Sequence, residues 1–469
     1  GLPDKSVSEA KERIHSAFAA MGFALPAKRI VVNLAPADVI KEGSHFDLPI
    51  AVAMLAALGI IPAEEAGGYM MLGELGLDGG IRPVSGILPA AVAANARGLG
   101  IVVPEAQVAE ALWAGNKAVL GAANLVELIN HFKGTQIISS EAEPRTFEEK
   151  YSVDMADIKG QEAARKALEI AAVGGHHMLM VGPPGVGKSM LAQRLPTILP
   201  PMSAREALEI STINSVAGLL SENGLCITRP FRSPHHTASQ VALTGGGLRS
   251  KPGEVSLAHN GILFLDELPE FSAPALDSLR QPLEAGVVTV ARANGHITYP
   301  AKFQLVAAMN PCKCGHFGDP DKACASAPLC AVKYQNRISG PMYDRIDLVV
   351  EVENVNPWEL ERMEPSEDSA TVRGRVMRAR EYQTKRIDKF YGKELGLLNS
   401  ALSGRQIEES GSFAADAMGL LMKSAEKFKL SARGYYKTMR IARTISDMEE
   451  REGVLSADIA AALAFRRKT

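Results

Sequence analysis

The sequence predicts an α/β chain of several domains that ends in an all-helical one. Three observations carry this prediction. The chain has 469 residues of ordinary globular composition, 46% hydrophobic and 22% charged, which is material for roughly three cores. The apolar run Met178-Leu179-Met180-Val181 leads without a break into the glycine-rich turn GPPGVGK and a helix start, the strand–turn–helix order of an α/β unit. Beyond about residue 356 the remaining stretches have helical spacing alone. The expected domains are therefore residues 1–140, 141–355 and 356–469.

A net charge of −2 excludes a surface coated in positive charge, so any nucleic-acid contact has to come from a local patch or a pore. No run reaches transmembrane length without charges, and no basic-then-apolar leader opens the chain, so a cytoplasmic location without membrane contact is expected. Gly1 and the interior character of GLPDKSV lead to the expectation that the first domain is N-terminally incomplete, lacking a strand or two.

Within residues 1–140, SEAKERIHSAFAAMGF reads as a helix, RIVVNLAP as a strand and LPIAVAMLAALG as a buried helix. KEGSHFDLPIA at Lys41 to Ala51, LGELGLDGGIRPVSGILPAAVAA at Leu72 to Ala94 and IVVP at Ile101 to Pro104 resemble the proteolytic domain of Lon-type proteases. The chemistry does not carry over: His45 stands at the position of the nucleophilic serine and Ala90 at that of the activating lysine. Ser44 is one position off, and a Ser–Lys dyad needs its base within hydrogen-bond reach of the hydroxyl. A scaffold or substrate-docking domain without a catalytic dyad is the expectation. From about Ile129 to Lys150 the apolar period is lost, which reads as a linker.

Gly182, Gly185, Gly187, Lys188 and Ser189 fit G-x-x-x-x-G-K-[ST]. Glycines let backbone N–H groups curl around phosphate oxygens, and the following helix presents its positive dipole end. Lys188 neutralises the β/γ-phosphates, and the Ser189 hydroxyl can ligate Mg²⁺. ATP and Mg²⁺ are thus expected on Gly182, Pro183, Pro184, Gly185, Val186, Gly187, Lys188, Ser189 and Met190. ILFLDEL, from Ile262 to Leu268, gives a buried parallel strand with two carboxylates at its carboxyl end. Asp266 suits the Mg²⁺ shell, and Glu267 suits polarising the attacking water. FQLVAAMN ends in Asn310, whose amide can orient that water.

The stretch between Lys188 and Asp266 holds EISTINSVAGLLSENGLCITRPFRSPHHTASQVALTGGG, whose Gly, Ser and Pro residues do not support a continuous helix. It reads as an insertion protruding from the core, with Phe231, Arg232, His235 and His236 expected to touch DNA or a neighbouring subunit. Two histidines alone are too few for a metal. VVTVARANGHITYP reads as a hairpin turning at Asn294-Gly295, flanked by Arg292 and His296. Four of the five cysteines, Cys312, Cys314, Cys324 and Cys330, crowd into a segment too rich in Gly, Pro and Asp to fold around a core. A tetrahedral Zn²⁺ site would staple it, with His316 as a substitute ligand and free thiols as the alternative. NRISGPMYDRIDLVVEV closes in a strand preceded by Arg345, with Arg337 as a rival basic residue.

Four helical stretches follow, TVRGRVMRAREYQTKRIDKF, FAADAMGLLMKSAEKF, SARGYYKTMRIARTISDMEE and SADIAAALAFR, the last two with Ser431 and Ser456 as N-caps. Arg433 opens the third. Arg373, Arg375, Arg378, Arg380, Lys385 and Arg386 read as a solvated face of the first, with a DNA contact as the alternative.

In this order the elements resemble AAA+ ATPases. Ile158, Gly160 and Gln161, in DIKGQEAARKALEIAAVGG, match the segment that covers the adenine. The stretch before the Asp-Glu strand resembles the helix-2 insert of the branch that contains magnesium chelatase and the minichromosome maintenance helicases. The hairpin resembles the pre-sensor hairpin of that branch, which implies DNA contact by Arg292, Asn294 and His296 in a central channel. Asn310 matches the first sensor, Arg345 the arginine finger that acts in trans, and Arg433 the second sensor, acting in cis or across an interface. With the Lon-like first domain and SPHHTAS, the chain resembles the magnesium-chelatase-like YifB family of competence proteins over nearly its whole length. That resemblance implies a hexameric ring with a helical lid that hydrolyses ATP to move on single-stranded and branched DNA. Its task would be branch migration of recombination intermediates during natural transformation. The alternatives are a chelatase-type motor subunit for Mg²⁺ insertion into a porphyrin, and an ATP-dependent unfoldase or protease.

Overall fold

The computed structural model describes residues 5–35, 41, 43–116, 118–138, 151–220, 224–247, 250–292, 295–315, 317, 326–355, 358, 363–364, 366–392 and 396–466. In the first region, β1 (Tyr69–Met71), β4 (Gly100–Pro104) and β5 (Val119–Ala122) form a parallel sheet in the order β1-β4-β5. Strands β2 (Glu74–Leu75) and β3 (Ile81–Arg82) make a short antiparallel pair beside it. The expected helices form at Lys5–Ala20 and Asp47–Ala57 and bury Phe18, Leu48 and Leu55 in one cluster. RIVVNLAP is a correction: among the described residues no ladder includes it, and Val31 is 73% exposed. Alternating apolar residues supply propensity, but a strand also needs a neighbour's backbone groups. The linker also starts later than expected, because helix Leu125–Phe132 buries Ile129 and Phe132. Residues 139–150, where the boundary at residue 140 falls, lie outside the described residues.

The second region is built on five parallel strands in the order β12-β6-β11-β8-β7. These are β6 (Met178–Val181), β7 (Phe231–Arg232), β8 (Ile262–Leu265), β11 (Gln304–Met309) and β12 (Leu348–Glu351), while β9 (Val287–Arg292) and β10 (Gly295–Pro300) form a separate hairpin. Successive side chains of a strand face opposite ways. Accordingly Met178, Met180, Phe264, Val306 and Ala308 enter the core beneath helices Glu162–Gly174 and Lys188–Ile198, whereas Leu179, Leu263, Leu265, Leu305 and Ala307 enter the core on the other face. Burial on both faces explains why these strands read as unbroken apolar runs, each large side chain contributing about 1.5–3 kcal/mol.

Part of the expected insertion belongs to this core. Helix Ala204–Ala217 is closed at its start by a capping box between Ser203 and Glu206, and β7 pairs with β8 as the sheet's edge strand. The capping signal was present in the sequence, but a two-residue strand has no pattern to read.

The C-terminal region is helical, with helices at Ser369–Tyr391, Gly404–Ser410, Ala415–Lys427, Ala432–Met448 and Ser456–Ala464. Ser431 caps as expected, donor Gly434 N–H to its Oγ at 3.2 Å. Ser456 does not: it is the first helical residue, and Asp458 accepts the Leu455 N–H instead. The basic face is likewise corrected. Arg378 and Lys385 are exposed, but Arg373 donates to Thr197 O (2.8 Å), Arg375 to Glu169 (2.8 Å) and Arg380 to Ala172 O (2.9 Å). Arg386 is buried against Asp447, which also accepts from Arg443 (3.0 Å) and Asn399 (2.7 Å). Long basic stems cover apolar surface while their heads satisfy carbonyls across the seam.

At the amino end of the sheet, half-buried His177 and buried His259 are held neutral. His177 Nδ1 accepts the Leu305 N–H (3.0 Å) and His259 Nδ1 accepts the Lys302 N–H (3.0 Å). Burial holds both below the ordinary histidine value despite nearby Asp347 and Glu209. Below about pH 6.5 the unfolded chain therefore binds protons that the folded chain refuses, so stability is full above that pH and falls beneath it. The melting temperature should drop by about 2–4 °C between about pH 7.5 and pH 5.5, and less in His177→Gln. Equal midpoints at the two pH values in the parent chain would contradict this.

Candidate nucleotide site

The site follows from strand order. β11 lies between β6 and β8, with Met309 opposite Val181 and Ala307 opposite Leu265. The residues that follow the three strands therefore meet at one edge: the Lys188 loop, Asn310, and the pair Asp266-Glu267. The wide sequence gap between Lys188 and Asp266 holds helix Ala204–Ala217 and the edge strand β7, and β6 and β8 flank β11 rather than each other.

Gly185 (φ 81°) and Gly187 (φ 91°) hold the loop in left-handed conformations, and nothing lies within 4 Å of where a Cβ would stand on either. The turn thus borders open space with its backbone. Gly187 precedes helix Lys188–Ile198 without any side-chain cap, which leaves the helix's first N–H groups for an anion. Lys188 Nζ donates to the carbonyls of Gly182 and Pro183 (2.7 Å each) and to Asn310 Oδ1 (3.1 Å). Burial lowers its pKa against the opposing pull of Asp266 and Glu267. Ser189 Oγ donates to Asp266 Oδ2 (2.8 Å), and Asp266 Oδ1 accepts the Glu267 N–H (2.9 Å). A hydroxyl and a carboxylate at this spacing are hard oxygen donors that fit Mg²⁺. Glu267 itself is left-handed (φ 52°), a conformation that costs a non-glycine residue about 1–3 kcal/mol and collects at functional sites.

Of the other loop residues, Val186 packs on the core and Met190 is exposed. Ile158 is buried, and Gln161 Nε2 donates to Glu353 O (2.7 Å), which sets Gln161 against the backbone just past β12. His236 was not singled out from the sequence for this site. Its Nδ1 lies 3.3 Å from Glu267 Oε2, placed there by the pairing of β7 with β8. The other insertion side chains are engaged internally: Arg232 makes a two-pronged bond to Glu254 (2.7 and 2.9 Å), Phe231 stacks on Phe264, and His235 meets Thr237.

Arg345 and Arg433 stand apart from the loop. They border a cavity of about 770 Å³ at the amino ends of the strands, with His177, Gly261, Phe303 and Asp347. A reach from Arg433 to phosphates bound by its own chain's loop is therefore set aside. Arg337 bonds Glu270 (2.8 Å), just past the Asp-Glu turn.

The hairpin turn is displaced from the expectation. Gly295 pairs with Arg292 within the ladder, so it is a strand residue rather than half of the tight turn. Asn294 lies outside the described residues, and His296 is exposed. The thiols of Cys312, Cys314 and Cys330 lie within 4.8 Å of one another, Cys312 and Cys314 at 3.0 Å. Cys324 and His316 lie outside the described residues. Gly315 (φ 82°) packs so closely on the loop that a Cβ there would stand 2.6 Å from Pro184 Cδ.

In the first region, Ser44 Oγ donates to Glu74 rather than to any lysine, the His45 ring lies against Phe46, and Ala90 lies in helix Ile87–Ala96. A cavity of about 600 Å³ there is shared with Ser215 and Lys251 of the second region.

Sequence comparison matches residues 154–360 to the family of the magnesium chelatase subunit ChlI, residues 1–107 to the family of subunit ChlI of Mg-chelatase, and residues 366–466 to the C-terminal part of that subunit. The chain is 41% identical over 478 residues to competence protein ComM of Haemophilus influenzae, covering 99% of this chain and 91% of that protein. It is 41% identical over 467 residues to the uncharacterized protein YifB of Salmonella typhimurium, covering 99% and 90%. A shorter match, 26% over 212 residues, joins 40% of the chain to 25% of a DNA replication licensing factor MCM3 homolog of Zea mays. Similarity of this depth over the whole length, around a phosphate loop that meets an Asp-Glu strand and an asparagine, identifies the chain as a member of the ComM/YifB-type magnesium-chelatase-like family of AAA+ ATPases.

Proposed function

We propose that the chain is an ATP-driven ring translocase that moves on single-stranded and branched DNA and promotes branch migration of recombination intermediates during natural transformation. One observation carries the ring. Lys188, Asn310, Asp266 and Glu267 meet at the carboxyl edge of the sheet, while Arg345 and Arg433 stand at its amino edge. Each chain then holds half of a site at either edge, and copies arranged head to tail join the halves into a closed ring, a hexamer in this reading. The DNA part rests on similarity to a protein named for competence and on the shorter match to a replication licensing factor.

In this reading the loop from Gly182 to Met190 binds the phosphates, with Ile158 and Gln161 beside the base. Lys188 exchanges its carbonyl contacts for β/γ-phosphate oxygens. Ser189 and Asp266 would hold Mg²⁺, which when bound supplies charge neutralisation at those oxygens. Glu267 takes up the proton of the attacking water, Asn310 orients that water, and Arg345 and Arg433 of the adjacent copy stabilise the developing charge. Residues 1–140 act as a Lon-like scaffold without a dyad, 141–355 as the motor with its insert, hairpin and cysteine loop, and 356–469 as the lid. Arg292, Asn294 and His296 meet DNA in the channel. The location is cytoplasmic.

Lys188→Ala should weaken ATP binding by about 100-fold, whereas Glu267→Gln should bind ATP and hydrolyse it at least about 100-fold more slowly, because one group holds charge and the other acts on water. Equal loss of binding in both, by nucleotide titration, would contradict the roles. Arg292→Ala should slow junction migration more than ATPase without DNA. A rate indifferent to DNA would instead favour the chelatase-type motor.

We also infer that Cys312, Cys314 and Cys330, with Cys324, hold Zn²⁺, since clustered thiolates select that ion. Because Gly315 packs on Pro184, removing the metal should weaken ATP binding as well as loosen the loop. Protein purified without chelator should carry about one zinc per chain, and stripping it should raise the Kd for ATP by about tenfold. Zinc-free protein with unaltered ATP binding would overturn this.

A further inference from the structure

The two arginines at the amino edge share a partner within their own chain. Nη2 of Arg345 and Nη2 of Arg433 both donate to the same carboxylate oxygen, Oε1 of Glu284, in helix Arg280–Ala285. The three sit at the rim of the 770 Å³ cavity with Lys437 and Arg440 beside them. Arg345 is 8% exposed, and its Nε is buried without an acceptor, as is Nε of Arg440. Two guanidinium groups carry ten N–H donors, and the shared Glu284 oxygen, with the Pro341 carbonyl that accepts from Arg345 Nη1 (2.7 Å), answers few of them. The like charges also oppose each other: Arg433 and Arg280 add to burial in pushing the Arg345 guanidinium down. The unmet donors and the surplus positive charge suit an anion richer in oxygens and charge than a carboxylate, and guanidinium pairs favour phosphate. The chain's own phosphate loop lies at the opposite edge of the sheet, so such a phosphate comes from a second copy.

We propose that Glu284 is a displaceable counter-ion. Within one chain it neutralises Arg345 and Arg433 and holds them together, and on assembly the terminal phosphate of the adjacent copy's ATP takes its place between them. The proposal rests on the ring reading given above and adds its regulation. Glu284 competes with that phosphate, so assembly is gated by whether the neighbour carries a triphosphate. Glu284 is half-exposed, with 53% of its side chain accessible, so its substitution spares the core.

Sedimentation velocity on the full chain in a Glu267→Gln background, with saturating Mg²⁺-ATP, measures the protein concentration for half-maximal assembly. Glu284→Gln should lower it about fivefold, equivalent to ~1 kcal/mol at 1.4 kcal/mol per decade, and Glu284→Asp should stay near the parent. With ADP the Glu284→Gln shift should vanish. An unchanged or raised midpoint in Glu284→Gln, or an equal shift with ADP, overturns the displacement. Arg345→Ala and Arg433→Ala separate this from the underlying reading. If both assemble like the parent, the shared site at the interface falls. If both lose assembly while Glu284→Gln is unshifted, only the role of Glu284 falls.

Discussion

Lys188 donates to two carbonyls of its own loop and to Asn310, a residue 122 positions away. That last bond exists because β11 is seated between β6 and β8 in an all-parallel sheet. Parallel neighbours require crossovers, and the crossovers here carry the edge strand β7, the hairpin β9–β10 and the cysteine loop. The same strand order that brings lysine, asparagine and two carboxylates together at one edge places the segment before β12 and part of the C-terminal helical region at the other. Arg345 and Arg433 are thereby separated from their own chain's loop. Sheet topology, more than any single contact, keeps the glycine-rich loop and the two arginines at opposite edges.

The two edges are bridged by the packing of the helical region on the core. Helix Ser369–Tyr391 is fastened to the core by Arg373, Arg375 and Arg380, and at its far end by Arg386 on buried Asp447. Removing one partner from such a buried charge cluster typically costs about 3–5 kcal/mol, which makes this seam a firm one. The same helical region carries Arg433, and Thr444 bonds His176 just ahead of β6 at 2.8 Å. β6 and the packed helices thus lie between the loop and the opposite edge. On the loop's other side, Gly315 packs the cysteine segment against Pro184 of the glycine-rich turn.

Much of this was legible in the sequence. The strands MLMV and ILFL, the helix after the glycine loop and the end of β11 before Asn310 each announce themselves, because strands buried on both faces leave unbroken apolar runs and glycines mark left-handed turns. What escaped depended on partners. RIVVNLAP has the residues of a strand but no ladder among those described. Phe231-Arg232 becomes a strand only by lying beside β8, and with it His236 arrives at Glu267. The arginines of helix Ser369–Tyr391 read as solvated because their acceptors, carbonyls of Thr197 and Ala172, lie more than a hundred residues upstream. The bond of Arg345 and Arg433 to Glu284 likewise joins three segments with no shared spacing.

The central claim is that the site is completed by a second copy of the chain. It is tested most directly by mixing Lys188→Ala with Arg345→Ala and measuring ATP hydrolysis. Each variant alone should be nearly inactive. In the mixture, an Arg345→Ala chain lends its intact loop to the arginine of a Lys188→Ala neighbour, and about a quarter of head-to-tail interfaces regain both halves. Activity rising toward about a quarter of the parent's is the result expected from that arithmetic. A mixture that sediments in the assembled form yet is no more active than the sum of its parts would contradict the account, because it would leave Arg345 acting within its own chain or not at all.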